Sequence, residues 1–249
     1  MKILKFKKKT NGKYSLSLDD GREFVFYEEV ILKHNLLLTK EIHEEDLLMI
    51  HQDNLEYDVY YVALNSIKSR FKSVFETKEF LRKKEYPSDM IDRAVEKLVQ
   101  QKYLDDRSFA KSFINTQMVT TSRGPLRIKK DLLDKKVDSS IIDEELLVFD
   151  EEEQTEKIKK LIERQIKSNH TRGGIVLKQK IINDLKQQEY EYDLISRIIS
   201  NYEFGNDSLL AKKEYEKLYR KYSTKLEGYE LKNKIREKMF QKGLSYEEE

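Results

Sequence analysis

Four stretches of this 249-residue chain repeat one pattern. They are Leu81…Tyr86-Pro-Ser-Asp, Leu132…Val137-Asp-Ser-Ser, Leu185…Tyr190-Glu-Tyr-Asp and Met239…Leu244-Ser-Tyr-Glu. In each, an apolar anchor precedes an apolar turn residue by five positions, and the turn residues stand 51, 53 and 54 positions apart. Beyond the turn, Ile91, Ala94, Val95 and Leu98 keep one helical face, and so do Ile195, Ile198, Ile199 and Tyr202. The second copy continues with Ile142, Leu146 and Phe149 but places Glu145 within that face. Self-similarity at such a period marks stacked repeats, in which neighbours bury faces that one unit alone leaves open.

The register predicts three-helix units over 58–102, 103–149 and 150–204, and a fourth unit over 205–249 cut short after two helices. Only Ser245 and four further residues stand where its third helix should begin, so it reads as a polar cap. The second unit is the most sharply punctuated. Tyr103-Leu104 leads into Asp105-Asp106, then Phe109, Phe113 and Ile114 share a helix face. Ser122-Arg-Gly-Pro breaks that helix, and Pro125 suits the first turn of the next, where its missing N–H costs nothing. That helix carries Ile128 and Leu132 inward and Arg127, Lys129 and Lys130 outward. The acidic run over 143–153 is either a joint between units or a solvated helix start, and the helix dipole favours the second.

Residues 1–27 carry the clear two-residue period. Leu4 and Phe6 alternate with Ile3, Lys5 and Lys7, and Tyr14, Leu16 and Leu18 alternate with serines. Asn11-Gly12 and Asp19-Asp20-Gly21 are hairpin signals, and 22–27 makes a third strand. A three-stranded ribbon needs a cover, supplied by helices predicted over 28–34 and from about Glu44. The fold class is therefore mainly α: tandem three-helix repeats in an elongated curved array, with a small N-terminal antiparallel β ribbon over part of 1–57. Charged residues at 38%, with only two prolines and eight glycines, fit such a helical array better than a sandwich or a doubly wound sheet.

Chemistry finds little purchase. There is no cysteine, and His34, His43, His51 and His170 are scattered, so neither thiolate chemistry nor a zinc site is expected. Asp105 and Asp106 are adjacent and so face different ways on a helix; they sit where N-caps belong. No Ser or Thr stands beside a His with an orienting third group. Arg172-Gly-Gly lacks the phosphate-loop pattern and reads as a turn before a helix. No cofactor is expected, and the chain reads as a non-enzyme. No apolar run approaches the roughly 20 residues that span a bilayer, and the N-terminus lacks a signal-peptide core, so the chain reads as a cytoplasmic protein without membrane contact.

What remains is binding. Net charge is only +2, which is no footprint of nucleic-acid binding by bulk charge. The charge is uneven, however: 68–84 holds seven basic residues against two acidic, and 210–242 holds eleven against five. Arg123, Arg127, Lys129 and Lys130 flank the middle helix of the second unit. Arg70, Arg82, Lys83 and Lys84 hold a related place in the first, and Lys232, Lys234, Arg236 and Lys238 in the fourth. Taken singly, each is an ordinary solvated helix residue. Their recurrence predicts a partner-binding surface, with Arg70, Arg82, Lys83, Arg123, Arg127, Lys129, Lys130, Lys232 and Arg236 as candidates.

The run of Tyr103, Leu104, Asp105, Asp106, Phe109, Ala110, Phe113, Gly124, Arg127, Ile128, Leu132 and Lys135 resembles the centre of the RecX family, bacterial regulators of the RecA recombinase. The resemblance implies a monomer that binds the RecA nucleoprotein filament in its groove. It would restrain recombinase, ATPase and co-protease activity, with auxiliary DNA contacts. The alternative is a DNA-binding helical module that acts without RecA. The chain departs from the family pattern in two places: Phe75-Glu76 where an Arg-Ser pair is frequent, and Lys136 where glycine is usual.

Overall fold

The computed structural model describes residues 1–10, 12–205 and 208–245. Asn11 of the first hairpin signal lies outside them, as do residues 246–249 at the fourth turn. The described residues are mostly helical, with one three-stranded antiparallel sheet in the order β1–β2–β3. The chain divides into two compact units, Met1–Phe109 with Lys135–Asp138, and Ala110–Asp134 with Ser139–Glu249.

In the first unit the strands are β1 (Ile3–Lys8), β2 (Lys13–Leu18) and β3 (Glu23–Tyr27). Leu16, Leu18 and Phe26 are fully buried against α1 (Glu28–Lys33) and the first part of α2 (Glu44–Ser69). The strict alternation expected for β1 fails. Its register shifts between Ile3 and Lys5, so Ile3 pairs with Leu18 and Phe6 with Leu16. A bulge of this kind adds one residue to a strand, and it turns Leu4 outward, 67% exposed.

Helix α2 runs unbroken through position 58, where the repeat register starts a new unit. Its two ends serve two cores. Leu47 and Ile50 pack under the ribbon, while Val59, Ala63, Leu64 and Ile67 join α3 (Val74–Arg82) and α4 (Ser88–Gln100). Helix α3 opens with a complete capping box, Ser73 and Glu76. Phe75 and Glu76 therefore fall inside the helix.

Asp58 ties ribbon to helices. It accepts hydrogen bonds from the Tyr27 hydroxyl (2.8 Å) and the Tyr86 hydroxyl (2.6 Å), with the Lys13 ammonium at 3.5 Å. Burial works to raise its pKa, but the two phenols and Lys13 outweigh it and hold the carboxyl below its ordinary value. The stability this confers is present above the unfolded carboxyl pKa of roughly 4 and is lost as pH falls through the lower folded value. Asp58→Asn is expected to cost about 1–3 kcal/mol at pH 7, with the gap to the parent chain narrowing in acid, below the ordinary carboxyl pKa of roughly 4. Urea melts under both conditions check this; a gap that stays constant contradicts it.

The second unit holds most of α5 (Asp106–Thr120), then α6 (Pro125–Asp134), α7 (Ser139–Glu145) and a 3-10 turn over Leu146–Val148. Next come α8 (Glu151–Lys167), α9 (Gly174–Gln187) and α10 (Tyr192–Ile199), and last α11 (Ser208–Tyr222) and α12 (Gly228–Gln241). Asp150 caps α8 by accepting from the Glu153 amide at 2.9 Å. The acidic residues 151–153 thus form the helix's first turn, where the dipole favours them. Arg172-Gly-Gly leads into α9, with Gly173 as N-cap.

One joint recurs between these helices. Glu85, Lys136, Glu189 and Gly243 all hold left-handed backbone, with φ between 57° and 68°, and each immediately precedes one of the four apolar turn residues. In three cases the carbonyl just before the left-handed residue accepts from the N-cap of an earlier helix. The Ser73 hydroxyl bonds Lys135 O at 3.1 Å, the Gly124 amide bonds Gln188 O at 2.7 Å, and the Gly173 amide bonds Lys242 O at 2.7 Å. Val137, Tyr190 and Leu244 follow these docked turns and are buried.

Candidate partner-binding surface

The motif around Tyr103 is a folding device. Leu104, Phe109, Ala110, Ile114, Ile128 and Leu132 are buried, with Ile128 and Leu132 fully so, while Phe113 is half-buried and Tyr103 is 51% exposed. Asp105 accepts from the amides of Arg107 and Ser108, both at 3.1 Å, and so caps α5. The Ser108 hydroxyl, followed by those amides, holds its carboxyl below the ordinary value. Asp106 reaches elsewhere: it accepts from the Val74 amide at 2.8 Å, at the first turn of α3. Burial pushes its pKa up. Two adjacent carboxylates thus cap two different helices.

The basic candidates divide into engaged and free. Arg123, just before α6, and Lys129 on it are half-buried rather than outward. Arg123 donates to Gln117 Oε1 at 3.0 Å and Asp131 Oδ2 at 2.6 Å, and Lys129 pairs with Asp143. Lys130 lies 2.7 Å from Glu189 Oε1, and Arg127 lies 3.6 Å from Asp131 and 3.8 Å from Glu189. Glu189 is the left-handed residue of the turn that docks on Gly124. Two of these cations, Arg127 and Lys130, therefore stitch that joint, as Lys135 pairs with Glu76 across the joint at Ser73. Lys157, half-buried over the Phe149 ring, caps the end of α5 through Met118 O at 2.7 Å. Burial pushes its pKa down to about 8.

Arg82 pairs with Glu79 one turn back, and Lys234 and Lys238 with Glu237. By contrast Arg70, Lys83, Lys232 and Arg236 are exposed, and among the described residues their side chains have no ion-pair partner. Lys84 is exposed too, its ammonium 5.4 Å from the centre of the Phe80 ring. A further exposed row had no place among the sequence candidates. Lys213, Lys217, Arg220 and Lys221 share one face of α11 with Glu216 as the single acid. Spacings of three and four residues in 213–221 carry that signal.

The described residues contain no group of three or more His, Asp or Glu placed to hold a metal ion, and no helix long and apolar enough to cross a membrane.

Known proteins resemble the chain along nearly its full length. A family profile described as the second three-helix domain of RecX matches residues 105–146, the stretch holding the Asp105 cap, Gly124 and the α6 cations. "Regulatory protein RecX" of Streptococcus sanguinis is 30% identical over 252 residues, covering 99% of this chain and 96% of that protein. The proteins of the same name from Halalkalibacterium halodurans and Bacillus subtilis are each 29% identical, covering 98% and 96% of this chain. Among solved structures, RecX from Lactobacillus salivarius is 26% identical with a TM-score of 0.55, over 60% of this chain and 97% of that one. Another crystal structure of regulatory protein RecX, 24% identical, shares the fold over 80% of this chain and 98% of its own, with a TM-score of 0.66. With relatives 29–30% identical along nearly its full length, the chain belongs to the RecX family of regulatory proteins.

Proposed function

We propose that this chain is a non-enzymatic, cytoplasmic regulator that binds the RecA–DNA filament as a monomer and restrains RecA's recombinase, ATPase and co-protease activities. In this reading α2–α4, α5–α7 and α8–α10 are successive repeats of one unit, and α11–α12 is a fourth cut short. The observation that carries it is the set of cations at both ends of the series that are exposed and unpaired among the described residues: Arg70 and Lys83 in the first repeat, Lys232 and Arg236 in the fourth. Weak contacts at separate repeats, each reaching a different protomer, gain affinity by multivalency. Inhibition then needs no chemistry, because a protein bridging protomers obstructs growth or incoming DNA.

The test is RecA's single-stranded-DNA-dependent ATP hydrolysis while the purified chain is titrated in, beside a DNA-only binding control. Inhibition well below the DNA-saturating concentration is expected. The second reading, DNA binding without RecA, draws on the α11 row. If that row holds phosphates, reversing Lys213, Lys217, Arg220 and Lys221 to Glu lowers the slope of log affinity against log salt by roughly 3–4 on duplex DNA. Tight DNA binding with a steep slope and no effect on RecA selects this second reading.

A further inference from the structure

The recurring joint has one half left over. Three of the four left-handed turns are docked on a helix N-cap, and the fourth, at Glu85, is not. It shares their backbone, with φ 63° at Glu85. Among the described residues no helix N-cap donates to the carbonyl of Lys84, the counterpart of Lys135, Gln188 and Lys242. Lys83, Lys84 and Glu85 are exposed, and the apolar residue that follows, Tyr86, is half-buried where Val137, Tyr190 and Leu244 are buried.

We propose that the Lys83–Tyr86 turn is a socket for the N-terminus of a helix on a partner protein, a helix with a small Ser or Gly N-cap and a Glu at its third position. This rests on the filament-binding reading above and names the chemistry of one contact. The occupant is drawn from the filled joint at Ser73, which Lys84 matches residue for residue. There Lys135 accepts the N-cap hydroxyl through its carbonyl, while its ammonium pairs with Glu76 at the helix's third position. Lys84 offers the same carbonyl and the same ammonium, both without these partners. A cation facing a helix N-terminus is unfavourable by itself, so the partner's Glu is part of the match. A second copy of this chain fits poorly. The corresponding helix start on α12 has Glu230 at its third position but the long side chain of Glu227 at the N-cap, where Gly173 and Gly124 have none and lie against backbone.

The test uses the full chain in the RecA ATPase titration, with Lys84→Glu compared against Lys167→Glu. Lys167 is exposed on α8 and lies in no joint, so it matches the change in net charge. Lys84→Glu is expected to raise the half-inhibitory concentration at least ten-fold with the helical circular dichroism unchanged, and Lys167→Glu to leave it within two-fold. Equal inhibition by Lys84→Glu and the parent chain overturns the socket and leaves the filament reading standing. Equal losses in both variants also overturn it, since bulk charge would then suffice. A parent chain that never inhibits RecA removes the filament reading and the socket with it. Self-association of the parent chain, abolished by Lys84→Glu in sedimentation, overturns the assignment to a different protein.

Discussion

Leu132→Ala should cost about 2–5 kcal/mol, while the neighbouring Leu133→Ala should cost less than about 1. Leu132 is fully buried on the inner face of α6 beside Ile128, whereas Leu133 is 39% exposed. Removing three carbons from a filled position loses their transfer energy and leaves a cavity that the packed helices close only in part. With a urea slope of roughly 1–3 kcal/mol per molar, the midpoint should fall by on the order of 1–2 M for Leu132→Ala and scarcely move for Leu133→Ala. The pair of variants is a register test. A one-residue error along α6 would exchange their effects, and equal small losses would mean that α6 is not held between other helices. The same helix carries Arg127 and Lys130, so its placement also decides whether those cations reach Glu189.

The helical class and the ribbon were legible because periods of 3.6 and 2 are local properties. Asp105 was legible as a cap for the same reason: the amides it accepts from are two and three residues on. Partners distant in sequence were not. Asp106 caps a helix 32 residues earlier, and Lys130 meets a glutamate 59 residues later, so Asp106 read as a cap of its own helix and Lys130 as a solvated surface group. The α6 face reads as outward by periodicity, yet half of it is spent on a joint. Glu189 could have been found by aligning the turns, since it occupies the place of Lys136. That place also explains the family's usual glycine at 136, because the backbone there is left-handed, a conformation glycine takes without steric cost. The exposure of Leu4 was hidden by a bulge, which no alternating pattern announces. The length of α2 was hidden because its apolar face serves one core near Leu47 and another near Ala63, so the two stripes do not line up as one.

Gly173→Ala should cost about 3 kcal/mol and act on the last two helices in particular. The backbone of Gly173 (φ −67°, ψ 160°) suits alanine, so no conformational penalty arises; the obstacle is what a methyl group would meet. A Cβ there would lie 1.8 Å from the carbonyl oxygen of Gly243 and 2.6 Å from its carbon. Both are backbone atoms that cannot swing aside as a side chain would. The Lys242–Gly243 turn must therefore retreat by more than an ångström, which breaks the Gly173 amide bond to Lys242 O and lifts Leu244 from its place beside Met239. Overpacking of roughly 1–3 kcal/mol and a lost buried hydrogen bond of about 1 kcal/mol add to the stated cost. Gly124→Ala should follow the same course more mildly, since its Cβ would lie 2.7 Å from Glu189 O, and Gly205→Ala should cost nothing by contact, with no atom within 4 Å. Hydrogen exchange supplies the local readout: protection in α12 should fall in Gly173→Ala and hold in Gly205→Ala. Equal protection in both would mean that the turn at Gly243 is not seated on Gly173. The joint would then lose one of its three occupied copies, and with it part of the argument that the turn at Glu85 awaits a partner.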